Sequence, residues 1–116
     1  MTKKGDLFCW GRNSYGEVGT GDFKELYLKP VKIITPFIPA KIAQISAGGF
    51  YNIVLLEDGS VYSWGFNLDG QLGIGSSSNE FIPKRVEFPE KIVQIRSACN
   101  YSMAISQNSM LYTWGW

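Results

Sequence analysis

The stretch VYSWGFNLDGQLGIG, residues 61–75, decides the fold of this chain. It begins with the apolar-polar alternation of a half-buried β-strand and continues with a Trp-Gly pair and three further glycines. Such a run suits either a nucleotide-binding loop or the turns of a repeated structural unit. A dinucleotide-binding loop has its glycines in the order GxGxxG and opens a helix, whereas the order here is GxxGxG with no helical periodicity after it. The run also lacks the Lys-Ser/Thr pair of a P-loop, so we expect a repeated unit.

The same pattern occurs three times along the chain. LFCWGRNSYGEVGTG at 7–21 aligns without a gap with residues 61–75, and the start returns as LYTWG at 111–115. A second segment, residues 41–59, aligns with 91–109, and KPVKI at 29–33 aligns with IPKRV at 82–86. Ordered blocks that recur about every 50 residues identify a repeat protein.

Each repeat is predicted to contain four short antiparallel strands. The Asp58-Gly59 pair between two apolar runs favours a hairpin, and in the later copy Asn108 is the residue expected to tolerate a positive φ. Pro30 and Pro83 stand at the start of the fourth strand, which indicates an edge strand. The first to fourth strands of the complete repeat are expected at 42–47, 51–56, 61–65 and 81–86.

Four antiparallel strands recurring at this period describe an all-β chain of β-propeller blades. The order along the chain is third-fourth, then a full blade, then first-second-third. We expect one region of tandem repeats over 1–116, with repeat boundaries near 7–60 and 61–110 and with 111–116 starting a third. Such a set is an incomplete propeller unless other chains complete it. The alternatives are a fragment of a longer propeller, a chain whose copies assemble a ring, and a stable open array.

The sequence resembles the regulator of chromosome condensation repeat family. The resemblance covers nearly the whole chain and is carried by Trp64-Gly65, Asn67, the run 70–73 and Gly75. It implies blades of a seven-bladed propeller. Where the family usually has His after a Gly-rich turn, this chain has Tyr51 and Tyr101, and the second of these turns reads Ala-Cys-Asn at 98–100.

The repeated tryptophans and glycines are predicted to have structural roles. A Trp side chain has enough apolar surface to pack a thin sheet against the neighbouring blade, and glycine allows tight loops between strands. The residues assigned these roles are Trp10, Gly11, Gly48, Gly59, Trp64, Gly65, Gly70, Gly73, Gly75, Trp114 and Gly115.

Composition argues against several functional classes. The 116 residues contain no histidine, which excludes Ser-His-Asp and Cys-His catalysis and every His-ligated metal site, so we predict a protein that is not an enzyme and holds no cofactor or metal. With 11 Lys+Arg against 10 Asp+Glu, a nucleic-acid partner is not expected. No apolar run is long enough for a membrane span. Cys9 and Cys99 are interpreted as buried free thiols in a reducing intracellular compartment, cytoplasmic or nuclear.

A binding surface is expected where the loops after the first and third strands share one rim of the blades. Aromatic and amide side chains there suit a protein partner, with packing between blades as the alternative role. The candidate partner-binding residues are Phe50, Tyr51, Asn67, Asp69, Asn100 and Tyr101.

The predicted function is a non-catalytic protein-interaction scaffold. The resemblance implies regulation of a small GTPase, since the family includes an exchange factor for Ran. Acidic residues of that factor's turns correspond to Gly49, Phe50, Cys99 and Asn100 here, none of them acidic, which weakens the exchange-factor interpretation for these turns. The alternatives are a self-assembling minimal propeller without a dedicated ligand, joined through open blade edges, and a ligand-binding or enzymatic module that uses the rim.

Overall fold

The computed structural model describes residues 6–33 and 41–116. Within them the regular secondary structure consists of nine β-strands without a helix. The strands are β1 Phe8–Arg12, β2 Leu26–Lys32, β3 Ile42–Ala47, β4 Tyr51–Leu56, β5 Val61–Gly65, β6 Glu80–Val86, β7 Ile92–Ser97, β8 Tyr101–Ser106 and β9 Leu111–Gly115.

The strands form three antiparallel sheets, which we call blades 1, 2 and 3. Blade 1 pairs β1 with β2, blade 2 has the order β3-β4-β5-β6, and blade 3 has the order β7-β8-β9. This confirms the predicted all-β class and the order third-fourth, full blade, first-second-third. The predicted region 1–116 includes residues 1–5 and 34–40, which lie outside the described part of the chain.

The blades repeat in strand register as well as in sequence. In blade 2 the β4–β5 hairpin pairs Leu55 with Val61, and Gly59 in its turn has φ +86°. In blade 3 the β8–β9 hairpin has the same register and pairs Ile105 with Leu111. The residue with positive φ in its turn is Ser109, at +66°. The expectation that Asn108 would take this conformation was therefore wrong by one residue, because the turn keeps the geometry that Gly59 has in blade 2.

Both predicted edge prolines lie on outer strands. β2 and β6 end their sheets, which is where a strand tolerates the missing N–H of proline. Pro30 and Pro83 nevertheless stand inside these strands and not at their first residues.

Two apolar clusters hold the blades together. β4 lies inside blade 2, and its side chains alternate between the two faces of the sheet. Tyr51 and Ile53 pack toward blade 3, in a cluster that includes Ile92 and Ala104. Val54 and Leu56 pack toward blade 1, in the cluster of Leu7, Ile33, Ile42 and Trp64. Because neighbouring blades cover both faces of β4, five of its six residues, all except Asn52, are apolar or aromatic and buried.

Two of the three repeated tryptophans, Trp64 and Trp114, pack between blades. Trp64 Nε1 donates to the Glu17 carbonyl oxygen at 2.9 Å, and Trp114 Nε1 donates to the Gln71 carbonyl oxygen at 2.8 Å. Each indole lies over a loop glycine of the preceding blade, Gly19 or Gly73, where an added Cβ would come within 2.7 or 2.6 Å of the ring nitrogen.

For Trp10 the packing prediction was wrong. Its indole is 62% exposed, because no described blade faces β1 on that side.

Candidate protein-interaction surface

Four loops meet on one rim of the blades. They are the β1–β2 loop, the β3–β4 turn, the β5–β6 loop and the β7–β8 turn. Backbone hydrogen bonds join three of them: Phe66 N donates to Phe50 O at 2.9 Å, and Gly49 N donates to Cys99 O at 3.0 Å. The β1–β2 loop joins them through the ring of Tyr15, which contacts the rings of Phe50 and Phe66. The expectation that these loops share a face is confirmed.

A buried asparagine holds each of the two long loops. Asn67 Nδ2 donates to Ser76 O at 2.9 Å and Ser78 O at 2.8 Å, while Asn67 Oδ1 accepts from Leu72 N at 3.0 Å. Asn13 repeats the arrangement, with Nδ2 donating to Lys24 O at 2.8 Å and Oδ1 accepting from Val18 N at 3.0 Å. These internal bonds give the loops a fixed shape, so the side chains they present are preorganised.

Three aromatic rings from three of these loops touch on the rim. The ring centroids of Tyr15 and Phe66 are 4.8 Å apart, those of Tyr15 and Phe50 5.7 Å, and those of Phe50 and Phe66 6.4 Å, all edge-to-face. Phe50 is 44% exposed and the other two rings are half-buried. The Arg12 guanidinium carbon lies 6.0 Å from the Phe50 centroid, in cation–π contact. We call Arg12, Tyr15, Phe50 and Phe66 the aromatic patch.

A groove adjoins the aromatic patch. Its volume is about 490 Å³, and Arg12, Glu17 and Phe50 line it together with Trp10 and the β3–β4 turn. Glu17 Oε1 accepts a hydrogen bond from Tyr15 N at 2.6 Å. The groove therefore joins an open apolar surface to one guanidinium and one hydrogen-bonded carboxylate.

The predicted rim residues divide into buried and accessible ones. Phe50 and Tyr101 are each 44% exposed, Asp69 is exposed and Asn100 is half-buried, so their role in partner binding stays a prediction. Tyr51 and Asn67 are 1% and 0% exposed and are corrected to structural residues. A side chain buried this completely has no surface to offer a partner.

Tyr51 bridges two blades through its hydroxyl group. The oxygen lies 2.5 Å from Tyr101 O, 2.8 Å from Ser102 Oγ and 3.3 Å from Ala98 O, all in blade 3. Burial raises the pKa of Tyr51, so the hydroxyl stays protonated as a donor. The Ala-Cys-Asn turn keeps the geometry of its glycine counterpart, since Ala98 N donates to Tyr101 O at 2.9 Å as Gly48 N does to Tyr51 O at 2.8 Å.

The two cysteines differ in accessibility. Cys9 is partly buried, and burial raises the pKa of its thiol to about 11. Cys99 is exposed in the β7–β8 turn, so the prediction that both thiols are buried was wrong for Cys99. Apolar neighbours in sequence do not bury a residue at a turn on the rim.

Metal-binding and membrane-spanning features were also sought in residues 6–33 and 41–116. No group of three or more Cys, Asp or Glu side chains is placed to hold a metal ion there. None of these residues forms a helix long and apolar enough to cross a bilayer.

Comparison with known protein families identifies the family of this chain. The sequence model of the Regulator of chromosome condensation (RCC1) repeat matches residues 4–55 and 58–105. This chain belongs to the regulator of chromosome condensation repeat family. A second model of the same repeat matches residues 42–71.

Relatives in this family are much longer than the chain. It is 43% identical over 84 residues to the human probable E3 ubiquitin-protein ligase HERC6, a match that covers 72% of this chain and 8% of the ligase. It is 36% identical over 86 residues to the ultraviolet-B receptor UVR8 of Arabidopsis thaliana, covering 74% of this chain and 19% of the receptor.

Solved structures confirm the propeller architecture of the family. Prp20p from Saccharomyces cerevisiae, studied for its binding to Gsp1p and histones, superposes with a TM-score of 0.87 at 28% identity, over 99% of this chain and 30% of Prp20p. The same yeast protein bound to Kap60 gives 0.87 at 28% identity, over 98% of this chain and 29% of that one. Human WBSCR16 shares the fold at 23% identity and a TM-score of 0.87, over 99% and 30% of the two chains.

Proposed function

We propose that this chain is a non-catalytic protein-interaction scaffold and that the aromatic patch is the surface that contacts the partner. The observation that carries the proposal is the contact of Arg12, Tyr15, Phe50 and Phe66 on a rim whose loops are internally hydrogen-bonded. Arginine and aromatic residues are enriched among the residues that dominate binding energy at protein interfaces. A fixed surface also loses less conformational entropy on binding.

Small GTPases and histones are the partner classes that we propose first. They are the classes with which Prp20p, 28% identical, was studied. Regulation of a GTPase by accelerating nucleotide exchange is the second candidate, and the same similarity favours it. We rank it behind plain binding because the β3–β4 and β7–β8 turns carry no carboxylate at 48–50 or 98–100.

The proposal assigns no catalytic step to this chain. HERC6 is a probable ligase, but the chain matches 8% of its length, so we propose that the repeats contribute binding. The absence of histidine from all 116 residues agrees with this role. A reducing compartment, the cytoplasm or the nucleus, suits the free thiols of Cys9 and Cys99.

Binding to defined proteins tests the proposal. We would immobilise the chain and measure, by biolayer interferometry, its affinity for Gsp1p in the GDP-bound, GTP-bound and nucleotide-free states and for core histones. Phe50→Ser removes the most exposed ring of the patch, and Leu28→Ser, at an 83% exposed position on β2, is the matched control. Light scattering on the same samples separates partner binding from self-association through open blade edges.

We expect at least one partner to bind, with affinity reduced at least about tenfold by Phe50→Ser and unchanged by Leu28→Ser. Equal losses in both variants would remove the patch from the proposal, and no binding by the wild-type chain would overturn the choice of partners. Release of a fluorescent GDP analogue from Gsp1p decides the second candidate, which requires acceleration by the chain.

A further inference from the structure

We infer that the aromatic patch recognises a linear segment of a partner in which a carboxylate stands next to an aromatic or leucine side chain. The carboxylate would pair with Arg12, and the apolar side chain would rest on Phe50 and Phe66. This inference rests on the proposed function and names the chemistry of the partner.

Arg12 provides the charge complementarity. Its Nε donates to Ser14 Oγ at 3.2 Å, and its guanidinium lies over the Phe50 ring. Within residues 6–33 and 41–116 its two terminal nitrogens have no hydrogen-bond or ion-pair partner, since the ion pairs found there are Lys32–Asp6 and Arg85–Glu87. A guanidinium that is held in position with its terminal N–H groups open is suited to bidentate binding of a carboxylate.

Two further polar groups lie close to Arg12, the Tyr15 hydroxyl in the aromatic patch and the Glu17 carboxylate in the groove. The Tyr15 hydroxyl makes no hydrogen bond within the described chain and can donate to an acidic group beside Arg12. Glu17, the carboxylate of the groove, already accepts the Tyr15 N–H at 2.6 Å.

The sizes of the aromatic patch and of the adjoining groove favour a short segment of the partner. Three rings within 6.4 Å of one another offer a seat for one or two apolar side chains. The adjoining groove has a volume of about 490 Å³, comparable with pockets of about 300–1,000 Å³ that bind small ligands. An extended segment can thus place its carboxylate over Arg12 and its apolar side chains on the rings and in the groove.

Charge reversal gives the sharpest experiment. A library of random dodecapeptides displayed on phage would be selected in parallel on four immobilised proteins. These are the full wild-type chain and its variants Arg12→Glu, Phe50→Ser and Leu28→Ser. The most enriched wild-type peptide would then be synthesised, with a twin in which its acidic residues are replaced by lysine. Their dissociation constants would be measured by fluorescence anisotropy, and thermal melting would establish that each variant folds.

We expect wild type and Leu28→Ser to select peptides rich in Asp or Glu beside Phe, Trp or Leu. Arg12→Glu should weaken the acidic peptide at least about tenfold, the effect of one charge-assisted contact, and should bind the lysine twin better than wild type does. The peptides selected by Phe50→Ser should no longer be enriched in Phe, Trp or Leu beside the acidic residue.

Selection of peptides without acidic residues, equal affinity in Arg12→Glu, or no enrichment on folded wild type would overturn the inference. Each of these results leaves the binding of Gsp1p or histones, measured separately, to decide the proposed function.

Discussion

Replacing Asn67 by alanine should destabilise the chain more than any other single polar substitution in the β5–β6 loop. The amide side chain is 0% exposed and makes three hydrogen bonds, two through Nδ2 to Ser76 O and Ser78 O and one through Oδ1 from Leu72 N. Each buried hydrogen bond contributes about 1 kcal/mol net to the free energy of unfolding, so the sum is about 3 kcal/mol. The Leu72 N–H is the costliest to leave without an acceptor, because Leu72 is itself 0% exposed.

Urea unfolding followed by tryptophan fluorescence measures this loss. With a dependence on urea of about 1.5 kcal/mol per molar, 3 kcal/mol lowers the midpoint by about 2 M. The matched control is Asn79→Ala in the same loop, where one bond, from Asn67 N to Asn79 Oδ1 at 2.9 Å, is removed. We expect about 1 kcal/mol for this control. If Asn67→Ala cost less than 1 kcal/mol, or no more than Asn79→Ala, the assignment of Asn67 as the residue that shapes the loop would be refuted.

Three further predictions concern the turns, the blade interface and the thiols. Ser109→Gly should raise the free energy of unfolding by about 1 kcal/mol, because Ser109 has φ +66° and glycine adopts this conformation without strain; an unchanged urea midpoint would contradict this. Tyr51→Phe should cost about 1–2 kcal/mol by removing the hydroxyl that reaches blade 3, whereas Tyr101→Phe, 44% exposed, should change the midpoint by less than about 0.5 kcal/mol; equal effects would argue against the bridge. Cys99 should react with iodoacetamide at pH 8 far faster than Cys9, whose pKa of about 11 leaves little thiolate until the pH approaches that value; mass spectrometry of the labelled peptides measures both rates, and faster labelling of Cys9 would contradict its burial.

The strands could be predicted because their signals are local and occur more than once. Alternation in 61–65 and the Asp58-Gly59 turn each indicate a hairpin, and the second copy of the pattern places the same hairpin in blade 3. The order of strands followed from the alignment alone. The alignment of 41–59 with 91–109 also places Ser109 opposite Gly59, so it identified the residue that takes the positive φ. The expectation for Asn108 came instead from the tolerance of asparagine for this conformation.

The burial of Tyr51 and Asn67 could not be predicted from the sequence, because it depends on contacts with distant residues. Tyr51 is covered by a blade 50 residues further along the chain, and Asn67 by its own folded loop. Since polar and aromatic residues next to turns are usually accessible, both were expected on the rim. The Asn-Gly spacing common to 13–16 and 67–70 was the available signal that the asparagine belongs to the loop structure.

Phe50 was among the predicted partner-binding residues, but the other members of the aromatic patch, Arg12, Tyr15 and Phe66, were not. Arg12 ends β1 and the three rings come from three loops. The repeats differ at these positions, since Arg12 aligns with Phe66 and Tyr15 aligns with Asp69. A search for shared residues passes over positions that vary between copies. Accessible positions that vary between copies on a fixed rim are where one pair of blades can acquire its own partner.

Hydrogen–deuterium exchange of the chain, free and bound to whichever protein of the panel binds it, tests the central claim most directly. The account predicts that the partner slows exchange at residues 12–15, 48–50 and 66–69, which form the rim with the aromatic patch. Turns 57–60 and 107–109 lie at the other end of the sheets and should exchange at the same rate in both samples. Protection confined to those turns, with the rim unchanged, would contradict the placement of the binding surface.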